Sequence, residues 1–532
     1  MEFVSLLFLV FVAAVCAVYF IVPIKCRWAV LLAASYLFYW WNSAYLAFVL
    51  AGMTAITWLI GLWLERKNQK SAEYIKLHKE EMDASARKSY KLSVTKRKKW
   101  ILFLGILLDL GVLLFFKYYN FFLENTSPLL AYLGIDPDAF KLDLLLPLGI
   151  SFYTLQAIAY MVDMYRGKYK ADHHFFKFAL FMSFFPQIVQ GPIARHNALA
   201  EQLQTGHAFD FTRLKYGCQL ILWGFMKKLI LADRIGILSD TVFGSYKDYG
   251  GMVLLFSVIL YGLQVYGDFS GGMDIARGVS QIFGIELELN FRQPYFAKSI
   301  EEFWRRWHIT LGAWMRDYIF YPLSLSKRFG ALGRGARKIF GNYIGKKLPS
   351  FLAMFIVYFL VGFWHGSSWK YVAYGIWNGV IITAGILLEP VYQKGLALFR
   401  VKEKSYGWSL FQMFRTFLLC SVGRFFPRAA SCTAAIVMMK QVCLSPQPWQ
   451  LVDGTLLTLG LDGKDMAVLF GMVVLVLLVD IAHERGIRIR ETVASQGLVC
   501  RWLVYWTAFY LIVIFGIYGP AYSSAAFIYQ QF

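Results

Sequence analysis

Apolar runs long enough to cross a lipid bilayer recur along almost the whole chain, and they constrain its fold more than any other feature. Most are about 18 to 24 residues long, and an α-helix of that length covers the roughly 30 Å of hydrocarbon in a bilayer. Charged residues make up 16% of the 532 residues, against about 25% in soluble proteins. Because a helix satisfies its own backbone hydrogen bonds inside lipid, the sequence predicts an all-α, polytopic membrane protein.

The apolar runs predict about eleven to thirteen transmembrane helices together with re-entrant segments. Residues 175–193 are apolar, but Pro186, Gly191 and Pro192 break the run, which favours a re-entrant segment buried in protein. The predicted spans are residues 1–24, 28–41, 44–64, 100–122, 144–164, 212–232, 250–267, 348–365, 370–388, 406–422, 465–481 and 499–518.

The formal net charge of +21 lies mostly in loops between the apolar runs. Residues 66–99 alone hold twelve Lys and Arg against four Asp and Glu, and the positive-inside rule places such a segment in the cytoplasm. Counting back through the spans puts the N-terminus outside the membrane. We predict a solvated cytoplasmic loop at 66–99, with an amphipathic helix on anionic lipid as the alternative. Because the positive charge follows the membrane topology, nucleic acid is excluded as a partner.

The sequence contains no recognisable metal or redox motif. Its seven cysteines include no CxxC pair, and neither an HExxH nor a Walker pattern occurs. No metal site and no permanently bound cofactor are therefore predicted. Six of the eight histidines lie in polar or junctional stretches and are predicted to be peripheral, namely His78, His173, His174, His196, His207 and His483.

The other two histidines stand in aromatic, membrane-type sequence, where an ionisable group is costly and usually functional. His365 ends an apolar run before the small residues 366–368, so it is predicted at a helix C-terminus inside the bilayer. His308 lies in 303–324, predicted as one interfacial helix with an aromatic face and a cationic face. Burial favours the neutral imidazole that a general base requires. A histidine hydrogen-bonded between helices is the alternative for His365, and an interfacial helix with snorkelling arginines is the alternative for His308.

Two carboxylates, Asp268 and Asp274, follow a long apolar run and have three glycines close by. We predict that they lie next to a helix end, with Asp268 near membrane depth, where it would pair with an arginine or orient a histidine. A helix N-cap or a structural ion pair is the alternative interpretation.

Five ordered blocks of the sequence together resemble the membrane-bound O-acyltransferase family, and within it the branch of alginate O-acetyltransferase membrane subunits and teichoic-acid D-alanyl transfer proteins. The resemblance covers roughly residues 100–390. The blocks are LPLGISFYTLQAIAYMVDMYRG (146–167), FFPQIVQGPIAR (184–195), DFSGGMDIARG (268–278), NFRQPYFAKSIEEFWRRWHITLGAWMRDYIFYPL (290–323) and GFWHGSSWKYVAYGIWNG (362–379).

The resemblance implies that His365 is the catalytic base, because the invariant histidine of the family falls on it, and that His308 is the second functional position. His365 would deprotonate the attacking hydroxyl, and His308 would position the donor or stabilise the developing oxyanion. The substrate- and donor-binding candidates are Asp268, Trp304, Arg305, Arg306, Trp364 and Asn378.

The resemblance further implies an acyl thioester donor made in the cytoplasm, either acetyl-CoA or the phosphopantetheine arm of an acyl carrier protein. The expected acceptor is outside, on a polysaccharide or on an SGNH-type acetyltransferase partner. Among acyl groups, acetyl is the one that we expect to be transferred. The helices are expected to lie in the lipid bilayer and to surround a central tunnel. D-alanyl transfer to teichoic acid is the alternative within the family.

A non-catalytic transporter, or a scaffold of a polysaccharide-export complex, is the alternative of another class. A transporter of this kind would show two symmetric halves, and the sequence has no such internal repeat.

The chain is expected to divide into N-terminal membrane helices with the basic loop (1–99), the catalytic core (100–390) and C-terminal membrane helices (391–532).

Overall fold

Helices dominate the computed structural model, which describes residues 3–518 and 527. No strand occurs within those residues, and the predicted all-α, polytopic membrane architecture is confirmed. The chain forms two compact units, the first of Met1–Gly217 with Val279–Glu288, the second of Cys218–Gly278 with Leu289–Phe532. Both histidines singled out from the sequence belong to the second unit. The division at residues 99 and 390 remains a prediction.

The helices of the first half of the chain are α1 (Leu6–Ile21), α2 (Arg27–Asn42), α3 (Ala44–Leu77), α4 (Ala84–Leu113), α5 (Tyr119–Tyr132), α6 (Ile150–Arg166), α7 (Phe175–Ser183), α8 (Phe185–Ile188), α9 (His196–Gln204), α10 (Phe211–Phe225), α11 (Asp233–Gly244) and α12 (Gly251–Ile282). Those that follow are α13 (Ile300–Arg306), α14 (Ile309–Met315), α15 (Tyr321–Ser324), α16 (Lys327–His365), α17 (Trp369–Leu387), α18 (Glu389–Leu398), α19 (Tyr406–Gly423), α20 (Phe425–Arg428), α21 (Cys432–Leu444), α22 (Gly463–Glu484), α23 (Ile489–Ala494) and α24 (Leu498–Phe515). Three π-helical turns are Leu114–Tyr118, Met226–Ala232 and Arg316–Phe320, and six 3₁₀ turns are Ile24–Cys26, Pro137–Phe140, Tyr246–Asp248, Pro294–Phe296, Pro448–Leu451 and Thr455–Thr458.

Six helical segments of the described chain are long and apolar enough to cross a membrane. A seventh span results if α17 and α18, which meet at a bend of 56°, are counted as one. The expected eleven to thirteen spans also included shorter segments such as α1, which is apolar but has fewer than 18 residues. The six are Ala44–Leu77, Ala84–Tyr132, Gly251–Ile282, Lys327–His365, Gly463–Glu484 and Leu498–Phe515.

The basic segment 66–99 is helical, so the prediction of a loop there is wrong. Helix α3 continues to Leu77, and α4 begins at Ala84, leaving a short turn between them. The rings of Tyr74 and Tyr90 stack across this hairpin with centroids 4.5 Å apart. Because Lys, Arg and Glu are good helix formers and each helix is already nucleated by its apolar half, the charged residues extend each helix beyond its apolar part.

The broken apolar segment 175–193 forms two short helices, α7 and α8, followed by irregular backbone that is almost fully buried. Such backbone needs hydrogen-bond partners from protein. The amide of Gln156 donates to the carbonyl oxygen of Phe181 at 2.8 Å and accepts from Gln187 at 3.1 Å. The predicted proline- and glycine-broken segment is therefore observed, with side-chain amides supplying bonds that a continuous helix would make internally.

Helices α16 and α17 cross closely at two glycines, and this crossing places the C-terminus of α16 and hence His365. A Cβ built on Gly375 would fall on the carbonyl oxygen of Tyr358 and lie 3.0 Å from the Cα of Gly362. Small residues at such a crossing let two backbones approach, as in many membrane helix pairs. The position of His365 thus depends on two residues that lack side chains.

Replacing Gly375 with Ala should separate α16 from α17 at this crossing and destabilise the protein by about 1–3 kcal/mol, the usual cost of overpacking. Gly385 is the matched control, because it lies on the same helix and a Cβ there meets nothing within 4 Å. Melting temperatures of the purified protein in detergent should fall for G375A and stay constant or rise for G385A. Equal melting temperatures for the two variants would contradict the close crossing.

Candidate functional site

The chain breaks its helix at His308, which the sequence did not predict. Helix α13 ends at Arg306, α14 begins at Ile309, and His308 between them has φ 48° and ψ 52°. The expectation of one continuous helix over 303–324 is therefore wrong. A non-glycine residue in the left-handed region is uncommon and is usually held there by its surroundings.

Asn290 holds this left-handed turn in place. Its side-chain Oδ1 accepts hydrogen bonds from the backbone N–H of Thr310 at 3.0 Å and from the Thr310 hydroxyl at 2.9 Å. Its backbone oxygen accepts from Ile309 N–H at 3.0 Å, and the next residue, Phe291, forms an isolated antiparallel bridge with Trp307. The segment before the helix therefore clamps both sides of His308.

The two histidines contact the same indole ring, that of Trp364. The His308 ring lies 5.7 Å from the Trp364 ring, and the His365 ring lies 5.1 Å from it, both measured between centroids and both in an edge-to-face arrangement. His308 is 1% exposed and His365 is 8% exposed. As predicted, His365 is the last residue of α16, and Gly366 continues in extended conformation. The structure thus brings His308, Trp364 and His365 together.

Burial lowers the pKa of His308 well below its usual value, and the nearby His365 lowers it further. Phe269 contributes to this apolar surrounding, since its ring lies 4.9 Å from the imidazole of His308. A neutral imidazole keeps one N–H donor and one acceptor nitrogen. His308 is therefore suited to donate or accept a hydrogen bond at neutral pH without carrying charge.

Asp268 lies inside α12 and not next to a helix end, so that prediction is wrong. The neighbouring glycines are part of the helix. Gly271 has no side chain, and this lets α12 approach the backbone of Gly224. The carboxylate of Asp268 is 1% exposed and pairs with the ammonium of Lys228 at 2.7 Å. It precedes Phe269, the residue that contacts His308. Asp268 therefore forms an ion pair, as expected, but its partner is Lys228 and not an arginine.

Trp304 and Asn378 are brought together beside the histidines. The Trp304 indole N–H donates to Asn378 Oδ1 at 3.2 Å, and the Asn378 amide donates to the carbonyl oxygen of Tyr374 at 2.8 Å. The ring of Tyr374 lies 6.2 Å from that of His365. Asn378 is therefore placed to fix one wall of the site.

The two predicted arginines of α13 lie apart from the buried rings. Arg305 is exposed and pairs with Glu301 at 2.9 Å. Arg306 pairs with Glu302 at 2.8 Å and with Glu484 at 2.7 Å. The exposed pair of Arg305 contributes little to stability, and both guanidinium groups already have carboxylate partners.

Arg424, between α19 and α20, is a polar residue of this region that sequence reasoning missed. Its guanidinium carbon lies 5.7 Å from the ring centre of Tyr295, 5.8 Å from Phe303 and 5.5 Å from Trp307, and the side chain is 3% exposed. Burying an ion costs several kcal/mol, and a desolvated cation–π contact returns about 2 kcal/mol. An arginine in the apolar run 406–427 was the sequence signal that could have identified it.

An apolar cavity of about 200 Å³ opens elsewhere in the second unit, lined by Trp223, His483, Arg490, Tyr505 and neighbouring apolar side chains. Neither His308 nor His365 lines it. The central tunnel expected from the sequence remains a prediction. Within the described residues, no group of three or more His, Cys, Asp or Glu side chains is arranged to hold a metal ion.

Comparison with known proteins gives one consistent family. Residues 168–422 match the model of the MBOAT, membrane-bound O-acyltransferase family. The chain is 30% identical over 437 residues to the probable alginate O-acetylase AlgI of Pseudomonas aeruginosa, covering 78% of this chain and 75% of the relative. It is 30% identical over 384 residues to the peptidoglycan O-acetyltransferase of Helicobacter pylori, covering 67% and 63%. The teichoic acid D-alanyltransferase of Streptococcus thermophilus is 33% identical over 239 residues, covering 44% and 55%.

The lowered pKa of His308 predicts a pH-dependent stability. Below about pH 6.5 the unfolded chain binds a proton at this residue that the buried ring does not bind, so stability falls as the pH falls. Relative to His308→Gln, the wild type should lose up to about 1.4 kcal/mol per pH unit between pH 6.5 and 5. Melting temperatures in detergent from pH 8 to 5 measure this difference.

His78→Gln is the control, because His78 lies outside the site on the exposed turn after α3 and its variant should keep the wild-type pH response. If His308→Gln followed the wild type in parallel over the whole range, His308 would titrate as an ordinary exposed histidine, and its enclosure among rings would be wrong.

Proposed function

Because this chain belongs to the membrane-bound O-acyltransferase family, we propose that it passes an acetyl group from a cytoplasmic thioester donor across the membrane to an acceptor outside. The observation that carries the proposal is the pair of buried imidazoles on one indole, at the end of a membrane-spanning helix. The family and the multi-pass membrane helices are established, whereas the donor, the direction of transfer and the residue roles are the proposal.

In the proposed reaction His365 acts as general base. It accepts the proton of the acceptor hydroxyl while the hydroxyl oxygen attacks the thioester carbonyl carbon. The new C–O bond forms, the C–S bond breaks, and the departing thiolate takes the proton back from the imidazolium. His365 suits this role because it is the less enclosed of the two histidines and adjoins the small residues 366–368.

His308 would stabilise the negative charge that develops on the carbonyl oxygen. A neutral imidazole can donate one N–H to that oxygen, and a donor fixed in advance costs no reorganisation during the reaction. The fixed left-handed backbone and the surrounding rings supply this rigidity. The Asp268–Lys228 pair would support the position of Phe269 and, through it, of His308.

Trp304, Trp364 and Asn378 would form walls of the substrate site. Trp364 contacts both histidines, and Asn378 bonds to Trp304 and to Tyr374, whose ring lies near His365. Arg305 remains a candidate for the donor phosphates at the cytoplasmic surface. Arg306 would need to exchange Glu302 or Glu484 for a phosphate to take the same role, which makes it the weaker candidate.

The direction of transfer rests on the distribution of positive charge. The helical hairpin 66–99 carries twelve Lys and Arg and would face the cytoplasm of a bacterial cell, which places the N-terminus outside. Acetyl-CoA and acyl carrier thioesters are cytoplasmic metabolites, so the acyl group would enter from that side. A carrier protein or CoA would serve as co-substrate and not as a bound cofactor.

Acetyl transfer is favoured over D-alanyl transfer by the extent of the similarities. The alginate O-acetylase shares 437 aligned residues with this chain, and the teichoic acid D-alanyltransferase shares 239. The acceptor would then be a polysaccharide, reached directly or through an SGNH-type acetyltransferase partner. D-alanyl transfer remains the second candidate because that relative is 33% identical over its aligned part.

Replacing His365 with Ala should lower acyl transfer by about 10²–10⁴-fold, the usual contribution of a general base. Transfer is measured in membrane vesicles from radiolabelled acetyl-CoA, and from D-alanyl carrier protein as the competing donor, to exported polysaccharide. Retained transfer in H365A would remove the base role, and labelling from the D-alanyl donor alone would favour the second candidate function.

His308→Ala should reduce transfer by about 10²–10³-fold, as expected when one oxyanion donor is lost. His78→Ala is the matched control outside the site and should transfer at the wild-type rate. Membrane insertion of all variants is checked by their yield in the membrane fraction. If both site variants keep exporting acetylated polymer, a scaffold or transporter would replace the enzyme hypothesis.

A further inference from the structure

Arg424 is a buried cation in the second unit whose surroundings differ from those of its other buried cations. Three aromatic rings surround its guanidinium, and Nη2 donates a 3.4 Å hydrogen bond to the hydroxyl of Tyr295. Gly262 leaves space for it, because a Cβ there would lie 2.6 Å from Nη1. Nη1 is buried and has no hydrogen-bond acceptor within the described residues.

Other buried cations of the same unit have carboxylate partners. Arg234 pairs with Asp465 at 3.3 Å and also donates to two backbone oxygens. Lys228 pairs with two carboxylates at 2.7 and 2.8 Å. Across residues 3–518 and 527, Arg424 forms no ion pair. A fully desolvated charge normally requires a counter-charge.

The aromatic rings stabilise the cation without neutralising it. Each ring offers the negative face of its quadrupole to the guanidinium and carries no net charge. A carboxylate in the same place would have cancelled the charge of Arg424. The cage formed by the rings of Tyr295, Phe303 and Trp307 therefore lowers the energetic cost of burying Arg424. It leaves one positive charge available to an incoming anion.

The location of the cage connects it with the histidines. Trp307, one of its rings, directly precedes His308, and the His308 ring contacts Trp364, the residue before His365. A group bound by Arg424 would therefore lie next to the residues that hold both imidazoles. The fork of guanidinium donors matches carboxylate and phosphate oxygens in geometry.

We propose that Arg424 binds an anionic oxygen group, a phosphate or a carboxylate, of a substrate that enters the histidine site. This rests on the proposed function and specifies the chemistry of what the site accepts. The anion could come from the phosphate of a pantetheine donor arm or from a carboxylate of an acidic polysaccharide acceptor, and the test distinguishes the two sources.

The test measures binding by the full-length protein in detergent, independently of acyl transfer. Trp307 in the cage and nearby Trp304 report binding through tryptophan fluorescence. Two matched ligand pairs are titrated, 4′-phosphopantetheine against pantetheine, and an oligouronate against the neutral oligosaccharide of equal length. In the wild type one charged ligand should bind at least about tenfold tighter than its uncharged partner, as one charge-assisted bond implies.

Arg424→Met should remove this preference for charge, and Arg424→Lys should keep part of it. Whichever pair shows the preference identifies the source of the anion. Arg488, an exposed arginine paired with Glu491, is the control, and R488M should bind like the wild type. No preference in the wild type for either pair, or a preference that survives in R424M, would overturn the proposal.

A purely structural role is separated by stability. R424M should melt within about 3 °C of the wild type, because no ion pair is lost, whereas R234M should melt lower because it leaves Asp465 and two backbone oxygens without their donor. A large loss of stability in both R424M and R424K would assign Arg424 to folding. H365A should bind the charged ligand normally and fail in transfer, so failure of the transfer hypothesis and of the anion site remain distinguishable.

Discussion

The proposed site depends on the hydrogen bonds that Asn290 accepts from the chain around His308. The side-chain and backbone oxygens of Asn290 accept from three donors at residues 309 and 310, which stabilises a left-handed residue that would otherwise be strained. The break turns the imidazole towards Trp364, and the adjoining helices α12 and α16 complete the enclosure.

The buried titratable side chains of the second unit have two kinds of surroundings. Lys228 and Arg234 are buried and paired with carboxylates, of which the partner of Arg234 is partly exposed, and this pairing reduces their net contribution to the local field. His308 and Arg424 are buried among aromatic rings, so the first stays neutral and the second keeps its charge. Paired charges hold helices together, whereas the groups surrounded by rings are the ones that the proposed reaction and the proposed anion site use. This difference in surroundings distinguishes the structural ion pairs from the residues of the candidate site, independently of any comparison with other proteins.

The sequence predicted those features that depend on local pattern. Apolar length was sufficient for the membrane helices, and the small residues 366–368 were sufficient to end α16 at His365. It failed at the break before Ile309, because the residue that stabilises it, Asn290, is bonded to Thr310 across 20 positions. It failed at Asp268 because the glycines there serve helix packing. The surroundings of Arg424 come from residues 262, 295–307 and 424, and no local pattern predicts such a meeting.

The unequal enclosure of the two histidines is consistent with a division of labour between them. His308 is 1% exposed and stands at a fixed backbone turn, so exchange of its proton with water is hindered and a constant neutral form is favoured. His365 is 8% exposed and ends a helix beside extended backbone, which makes it the less enclosed of the two. Aromatic walls also exclude water, which would otherwise compete with the acceptor for a thioester. In the proposed mechanism the enclosed histidine would have to be rigid and the other one would have to be reachable by the substrate.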